Sequence, residues 1–164
     1  MKARKVALYG VLIALALVLS YLESLVPLSF AVPGIKMGLP NIVIVYALYA
    51  LGFKDAALIS LLRVLLVSIL FGNVMSLAYS LAGAVLSLLV MLLLVKSGKF
   101  GTTGVSVAGA VAHNAGQILM AMLLLETAQI SWYLPVLCVS GTVAGICVGL
   151  LSAVLLKRIR PKKP

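Results

Sequence analysis

The chain has 164 residues, of which 64% are hydrophobic and 10% are charged, and its mean hydropathy is +1.27. Soluble domains carry about a quarter charged residues, so this composition excludes a water-soluble domain and predicts an integral membrane protein. The net charge of +10 does not indicate a nucleic-acid partner, because the basic residues lie at the ends of the apolar segments.

Because a span needs about 20 apolar residues, the sequence predicts an all-α fold with six transmembrane helices. Their approximate residues are 5–26, 40–53, 55–71, 74–95, 104–126 and 132–156. They form one transmembrane domain over residues 1–158, followed by a basic tail at 159–164. The second and third spans form a tight hairpin. The second covers only about 20 Å, so the segment before it dips into the bilayer under cover of protein.

Placing the N-terminus in the cytoplasm puts the basic residues other than Lys36 and Arg63 on the cytoplasmic side, as the positive-inside rule requires. Six crossings return the C-terminus to the same side. We therefore expect a multi-pass protein of a bacterial or archaeal cell membrane, with both termini cytoplasmic and its basic residues in contact with anionic lipids.

The stretch VPGIKMGLPNIVIVY breaks the pattern of apolar helices with two prolines, two glycines and a lysine. Pro40 suits the first position of a helix, because its missing N–H would be unpaired there anyway. The helix would begin on the extracytoplasmic side, where unpaired N–H groups favour an anion. Lys36 and Asn41 add a charge and an amide, which predicts the lip of a ligand pocket. The alternative is an exposed loop with a solvated lysine.

Arg63 lies inside the third predicted span, about 10 Å from its cytoplasmic end. Its guanidinium either snorkels to the cytoplasmic interface or forms an ion pair or a substrate contact within the bundle. The acidic residues that could pair with it are Glu23, Asp55 and Glu126.

Three polar residues, His113, Asn114 and Gln117, lie in the fifth span at spacings that put them on one helical face. They form either the wall of a polar cavity or a set of hydrogen bonds between helices. Asn73, before the fourth span, and Tyr133, whose ring could stack on an aromatic ligand, complete the predicted substrate-binding residues.

Two stripes of small residues indicate close helix packing. In the sixth span, Gly141, Gly145 and Gly149 repeat at four-residue steps, which favours packing inside the bundle, with homodimerisation as the alternative. The stripe in the first span consists of Ala3, Ala7, Gly10 and Ala14.

Five blocks of the chain resemble the Gx transporter family, also known as heptaprenyl diphosphate synthase component I. They are RKVALYGVLIALALVLSYLE, PGIKMGLPNIVIVYALYALGFKDAALISLLRVLL, FGNVMSLAYSLAGAVLS, GVSVAGAVAHNAGQI and YLPVL. The resemblance covers roughly residues 3–150, and PGIKMGLPN and AHNAGQ are its most specific parts. Pro40 stands where that family would have a small residue such as alanine, which leaves the helix start intact.

This family is similar to the substrate-binding S components of energy-coupling-factor (ECF) vitamin transporters. The resemblance implies an S-component-like bundle with an extracytoplasmic ligand site beneath the loop between helices one and two. It also implies that a small-xxx-small pattern on helix one docks a coupling subunit. The pairs Ala3–Ala7 and Gly10–Ala14 fit this pattern.

Two functions follow. The chain is either a transport subunit that captures a small anionic or vitamin-like molecule, or a component that presents prenyl diphosphates for isoprenoid or quinone synthesis. It lacks the G-x-x-x-x-G-K-[ST] motif, so ATP-driven uptake needs separate ECF-type ATPases. Its three acidic residues are too far apart in sequence to form a magnesium motif for diphosphate. We therefore expect no catalytic residue, metal or cofactor. A structural subunit of a membrane redox complex is a weaker third option, and the identity of the ligand stays open.

Overall fold

The computed structural model describes residues 2–25 and 38–159, so Lys36 and nearly all of the basic tail lie outside the described residues. The described residues form six α-helices and a short 3-10 helix and contain no β-strand, which confirms the predicted all-α class. The helices are α1 (Lys2–Leu25), α2 (Asn41–Ala50), α3 (Phe53–Phe71), α4 (Val74–Ser97), α5 (Thr102–Leu124), the 3-10 helix (Ala128–Tyr133) and α6 (Leu134–Arg158).

Four of the described helical segments are long and apolar enough to cross a membrane: Lys5–Leu25, Val74–Ser97, Thr102–Leu124 and Ala128–Arg158. The helix α3 has 19 residues but includes three charged ones, and α2 has only 10. Large apolar side chains face outward from the bundle, among them Ile69 at 77% and Leu123 at 71% exposure. Such a surface is stable in lipid and not in water, as in a multi-pass membrane protein.

The helix ends define two ends of the bundle. At one end, Lys5 Nζ lies 3.1 Å from Asp55 Oδ2, and Tyr46 donates a hydrogen bond to the carbonyl of Ile159. We call this the basic end, because α1 starts there and α6 finishes there, and the sequence is rich in basic residues at both of these points. At the opposite, far end, the rings of Tyr21 and Phe71 are 5.5 Å apart. The helices α1 and α3 therefore run parallel to each other, with α2 antiparallel to both.

The helix α2 forms the centre of the bundle. Seven consecutive residues, Ile42–Leu48, are buried, so every face of this helix is covered by protein. Ten residues span about 15 Å, half of the roughly 30 Å hydrocarbon core. Since the last turn of α2 is at the basic end, its first residue, Asn41, lies near the middle of the bundle. The helix therefore begins inside the bundle, directly after Gly38–Pro40, which suits the expectation that this short helix does not reach the surface by itself; its placement on the extracytoplasmic side stays a prediction.

Glycines let α5 pack closely against α4 and α6. A Cβ atom added at Gly116 would lie 2.8 Å from the carbonyl oxygen of Ala82 in α4, and one added at Gly145 would lie 2.6 Å from Val107 Cα in α5. Gly141 and Gly149 are likewise buried against α5. The glycine stripe of α6 thus serves packing within the bundle, and homodimerisation through it is wrong for this fold because α5 already covers that face.

Candidate functional site

A turn of three residues, Gly38 to Pro40, leads into α2 near the middle of the bundle. Gly38 has a φ of +71°, which glycine adopts without the strain that other residues incur. The N–H groups of Asn41, Ile42 and Val43 donate to the carbonyls of Gly38, Leu39 and Pro40 at 2.9, 3.1 and 3.1 Å. The expectation of unpaired N–H groups at this helix start is therefore wrong. The attraction of this region for an anion depends on its side chains.

Arg63 of α3 lies beside this helix start. Its Nη1 donates to Asn41 Oδ1 at 3.3 Å, while its Nε is buried and makes no hydrogen bond to protein. Glu23, near the end of α1, accepts a hydrogen bond of 2.6 Å from the Gly38 N–H. We call Glu23, Gly38, Asn41 and Arg63 the central polar site.

The arrangement decides between the alternatives predicted for Arg63. Its guanidinium contacts Asn41 near the middle of the bundle, so it does not snorkel to the basic end. Asp55, the acidic residue nearest to it in sequence, pairs with Lys5 instead. Inside an apolar bundle a charge of this kind is costly unless paired, which marks the central polar site as the candidate functional site.

A narrow cavity adjoins the central polar site on the other side of α2. Its volume open to the centre of a water molecule is about 20 Å³, enough for about one water. Asn41 contributes to its wall, so one side chain belongs to both features. The cavity is lined by residues from four helices and the preceding turn: Gly38, Asn41, Val45, Ser87, Met91, Ser106, Gly109, Ala110, Ala144, Gly145 and Val148.

The three polar residues of α5 diverge toward two different helices. The Nδ2 of Asn114 donates to the carbonyl of Leu137 in α6 at 2.7 Å. His113 and Gln117 instead contact Gly83 of α4, where an added Cβ would lie within 3.0 Å of both side chains. Adjacent helical residues are rotated by about 100°, and here this rotation directs Asn114 to α6 and His113 to α4. None of the three lines the described cavity.

The remaining predicted substrate-binding residues lie away from the central polar site. Asn73 caps α4, accepting a hydrogen bond from the Ser76 N–H at 2.8 Å, which is a structural role. Tyr133 is exposed at the far end beside the exposed Trp132, where aromatic residues suit a membrane interface. Lys36 is outside the described residues. The structure thus brings together two of the predicted residues, Asn41 and Arg63.

The small residues of α1 form a surface that no other described element covers. All four are exposed, and an atom added at Gly10 would meet nothing within 4 Å. This flat strip lies in the half of α1 nearest the basic end. Its members are Ala3, Ala7, Gly10 and Ala14.

The acidic residues of the described chain do not form a metal centre. Asp55 is paired with Lys5 at the basic end, Glu23 belongs to the central polar site, and Glu126 is exposed after α5. Within residues 2–25 and 38–159, no group of three His, Cys, Asp or Glu residues could hold a metal ion.

Sequence reasoning named Glu23 only as one of three acids able to pair with Arg63, and it did not select Ser87 or Ser106. The signal for Glu23 was its isolation as an acid within an apolar span. The two serines are buried polar residues of α4 and α5, and serine occurs too often in these helices to single them out.

A family model described as Heptaprenyl diphosphate synthase component I matches residues 12–155. The match extends from α1 to α6 and so includes every residue of the central polar site and of the cavity. No curated protein and no solved structure matches the chain.

Proposed function

The chain belongs to the heptaprenyl diphosphate synthase component I family, and from this premise we propose that it is a non-catalytic membrane subunit that binds a small anionic molecule. The observation that carries the proposal is Arg63, a cation inside an apolar bundle whose Nη1 donates to Asn41 and whose buried Nε makes no hydrogen bond to protein. The absence of clustered carboxylates among the described residues supports a binding role, since prenyl transfer needs carboxylates to hold magnesium against diphosphate.

The anion would be recognised by the guanidinium of Arg63, with Asn41 as a polar neighbour. A guanidinium matches the geometry of carboxylate and phosphate groups. The N–H at Nε of Arg63 makes no hydrogen bond to protein, so it is available to donate to a ligand. The buried location strengthens the attraction because the effective dielectric constant there is low.

Ligand binding would require the cavity beside Asn41 to grow, since about 20 Å³ is far below the roughly 300 Å³ of a small-molecule site. Met91 is the side chain best suited to move. A Cβ added at Gly109 would lie 2.6 Å from Met91 Cγ, so this methionine fills the space that the glycine leaves. Methionine is unbranched and adapts readily to a new shape.

Two uses of such a site are compatible with the family. In the first, the molecule enters from the extracytoplasmic side for uptake into the cell. ECF-type ATPases and a coupling subunit would supply the energy, and the coupling subunit would dock on the exposed small residues of α1. In the second, the subunit binds prenyl diphosphates and presents them to a catalytic partner, which the family description favours.

The test is equilibrium binding to the purified protein in lipid nanodiscs. The panel contains water-soluble vitamins, prenyl diphosphates and inorganic diphosphate. Loss of a charged hydrogen bond costs about 1.5–3 kcal/mol, so Arg63→Gln should weaken binding about 10- to 100-fold. Lys99→Gln removes an equal charge from an exposed position and should leave binding unchanged.

The outcome separates the two uses and can reject both. Saturable binding of a vitamin favours uptake, whereas binding confined to prenyl diphosphates means that the transport role must be dropped. If Arg63→Gln and the wild type bind every compound equally well, the central polar site is not the ligand site.

The docking surface on α1 has a separate test. Ala7→Leu places a bulky side chain on the strip, and we expect it to abolish co-purification with a coupling subunit while the thermal stability stays the same. Val11→Leu is the matched control, because Val11 is an exposed, already bulky residue of the same helix. Equal co-purification of Ala7→Leu and the wild type would reject the surface.

A further inference from the structure

The small cavity beside Asn41 has the size and the lining of a site for one polar group. Its volume of about 20 Å³ open to the centre of a water molecule holds one group of that size. Polar side chains of three helices line it: Asn41 of α2, Ser87 of α4 and Ser106 of α5. We propose that this cavity binds one uncharged hydroxyl or carbonyl group of the ligand whose acidic group binds Arg63. This inference rests on the proposed function and names the class of ligand, an acid or phosphate ester that carries a hydroxyl or carbonyl group.

The orientation of the Asn41 amide connects the cavity with Arg63. The Oδ1 atom of Asn41 accepts the hydrogen bond from Arg63 Nη1 at 3.3 Å. Its Nδ2 atom lies 3.4 Å from the position of a Cβ atom added at Gly38, and Gly38 also lines the cavity. Asn41 therefore directs its acceptor to Arg63 and its two N–H donors toward the turn beside the cavity. An acidic group at Arg63 and a polar group in the cavity would be separated by this one amide group.

The two serines give the cavity further hydrogen-bonding groups on the side of α4 and α5. Ser87 is 7% exposed and Ser106 is 3% exposed. A Cβ atom added at Gly109, another lining residue, would lie 3.3 Å from Ser87 Oγ, so this hydroxyl borders the space that the glycine leaves. A hydroxyl has one donor and two acceptor lone pairs. Even a serine that donates to a carbonyl of its own helix can therefore accept a hydrogen bond from a ligand.

This lining favours a polar group over an apolar one. A ligand hydroxyl in the cavity can donate to a serine and accept from Asn41, as a bound water would. Replacing a water by a group that cannot reproduce its hydrogen bonds loses affinity, and a buried polar group without a partner costs its full desolvation penalty. A methyl or prenyl group would have both disadvantages. Of the two uses of the site, the cavity thus favours the capture of a hydroxylated, vitamin-like anion.

The experiment compares the dissociation constants of glycerol 3-phosphate and propyl phosphate for the full chain in nanodiscs. Both compounds carry a three-carbon chain on a phosphate, and they differ in two hydroxyl groups. We expect the wild type to bind glycerol 3-phosphate at least about tenfold more tightly. Ser87→Ala and Ser106→Ala each remove one hydroxyl and should weaken the binding of glycerol 3-phosphate about 2- to 12-fold, the effect of one neutral hydrogen bond.

Ser140→Ala is the matched control for the serine variants. Ser140 lies in α6, and its hydroxyl donates to the carbonyl of Leu137 at 3.2 Å, away from the lining of the described cavity. The ratio of the two dissociation constants should stay at the wild-type value in this variant. Inorganic diphosphate, which has no carbon chain, measures the binding of the acidic group alone and should bind equally well to the wild type and the three variants.

The outcomes separate this inference from the proposed function. A preference for glycerol 3-phosphate that either cavity serine variant reduces, and that Ser140→Ala leaves intact, supports the subsite. Equal binding of the two compounds by the wild type, tighter binding of propyl phosphate, or an unchanged ratio in both cavity serine variants overturns it. If inorganic diphosphate binds and depends on Arg63 while the preference is absent, only this inference fails. If the wild type binds none of the three compounds, the subsite and the proposed anion site both fail.

Discussion

Replacing Gly145 by alanine should force α6 away from α5 and destabilise the protein. The added Cβ would lie 2.6 Å from Val107 Cα, 3.1 Å from Val107 N and 3.2 Å from the Ser106 carbonyl oxygen. All three are backbone atoms, so no side-chain rotation relieves the contact. An ordinary contact begins near 3.4 Å, and the two helices must therefore separate by nearly 1 Å at this point.

Overpacking of this kind typically costs about 1–3 kcal/mol. For a chain of this size each kcal/mol lowers the melting temperature by about 2–4 °C, which gives an expected decrease of about 2–12 °C. The assay is thermal unfolding of the purified protein in detergent, followed by size-exclusion chromatography of heated samples.

Gly104→Ala is the matched control, because this glycine also lies in a helix but its nearest added contact is 3.7 Å away, at Phe100 Cδ1. Alanine there should stabilise the helix slightly, by up to about 1 kcal/mol. A Gly145→Ala protein that melts at or above the wild-type temperature would refute the close contact between α5 and α6.

Three further predictions concern the polar contacts. Arg63→Gln removes the guanidinium that donates to Asn41 and should cost about 1.5–3 kcal/mol. The same substitution should cost less in an Asn41→Ala background, and additive losses in a thermal double-mutant cycle of the two would contradict the contact. Asn114→Ala removes the hydrogen bond to Leu137 and should lower the free energy of unfolding by about 0.6 kcal/mol. The affinity for diphosphate should stay the same in this variant, and a lower affinity would show that Asn114 is part of the ligand site. Asp55→Asn should change the melting temperature far less than Arg63→Gln does, because the ion pair of Asp55 with Lys5 is exposed. Equal shifts in melting temperature would show that this ion pair stabilises the fold as much as Arg63 does.

The sequence predicted well those features that depend on composition and on local spacing. The all-α class followed from the apolar content, and the family followed from the blocks around Pro40 and His113. Arg63 and Asn41 were both selected because polar groups are costly in apolar helices. Asn41 and Arg63 meet because a short turn joins α2 and α3. In such a hairpin, two residues that are equally far in sequence from the turn lie side by side.

Other features of the site could not be read from the chain. The helix α2 is apolar on all sides, so its pattern did not reveal which helices surround it, although its short length did predict that it does not reach the membrane surface by itself. The spacing of His113, Asn114 and Gln117 suggested one face, but α5 has neighbours on two sides and each neighbour takes a different residue. Glu23 is fifteen residues from Gly38, and no local rule connects them.

By itself, the sequence determined that the chain partitions into a membrane, forms helices and has glycines spaced for close packing, because these properties depend on residue type and helical period. Only the tertiary structure decided which helix each polar side chain faces, and that α2 begins halfway through the bundle with Glu23 and Arg63 beside it. The physical reason is that helices surrounded by lipid and by other apolar helices have no distinct polar face. Their rotation and depth are set by shape and by a few polar contacts between distant parts of the chain.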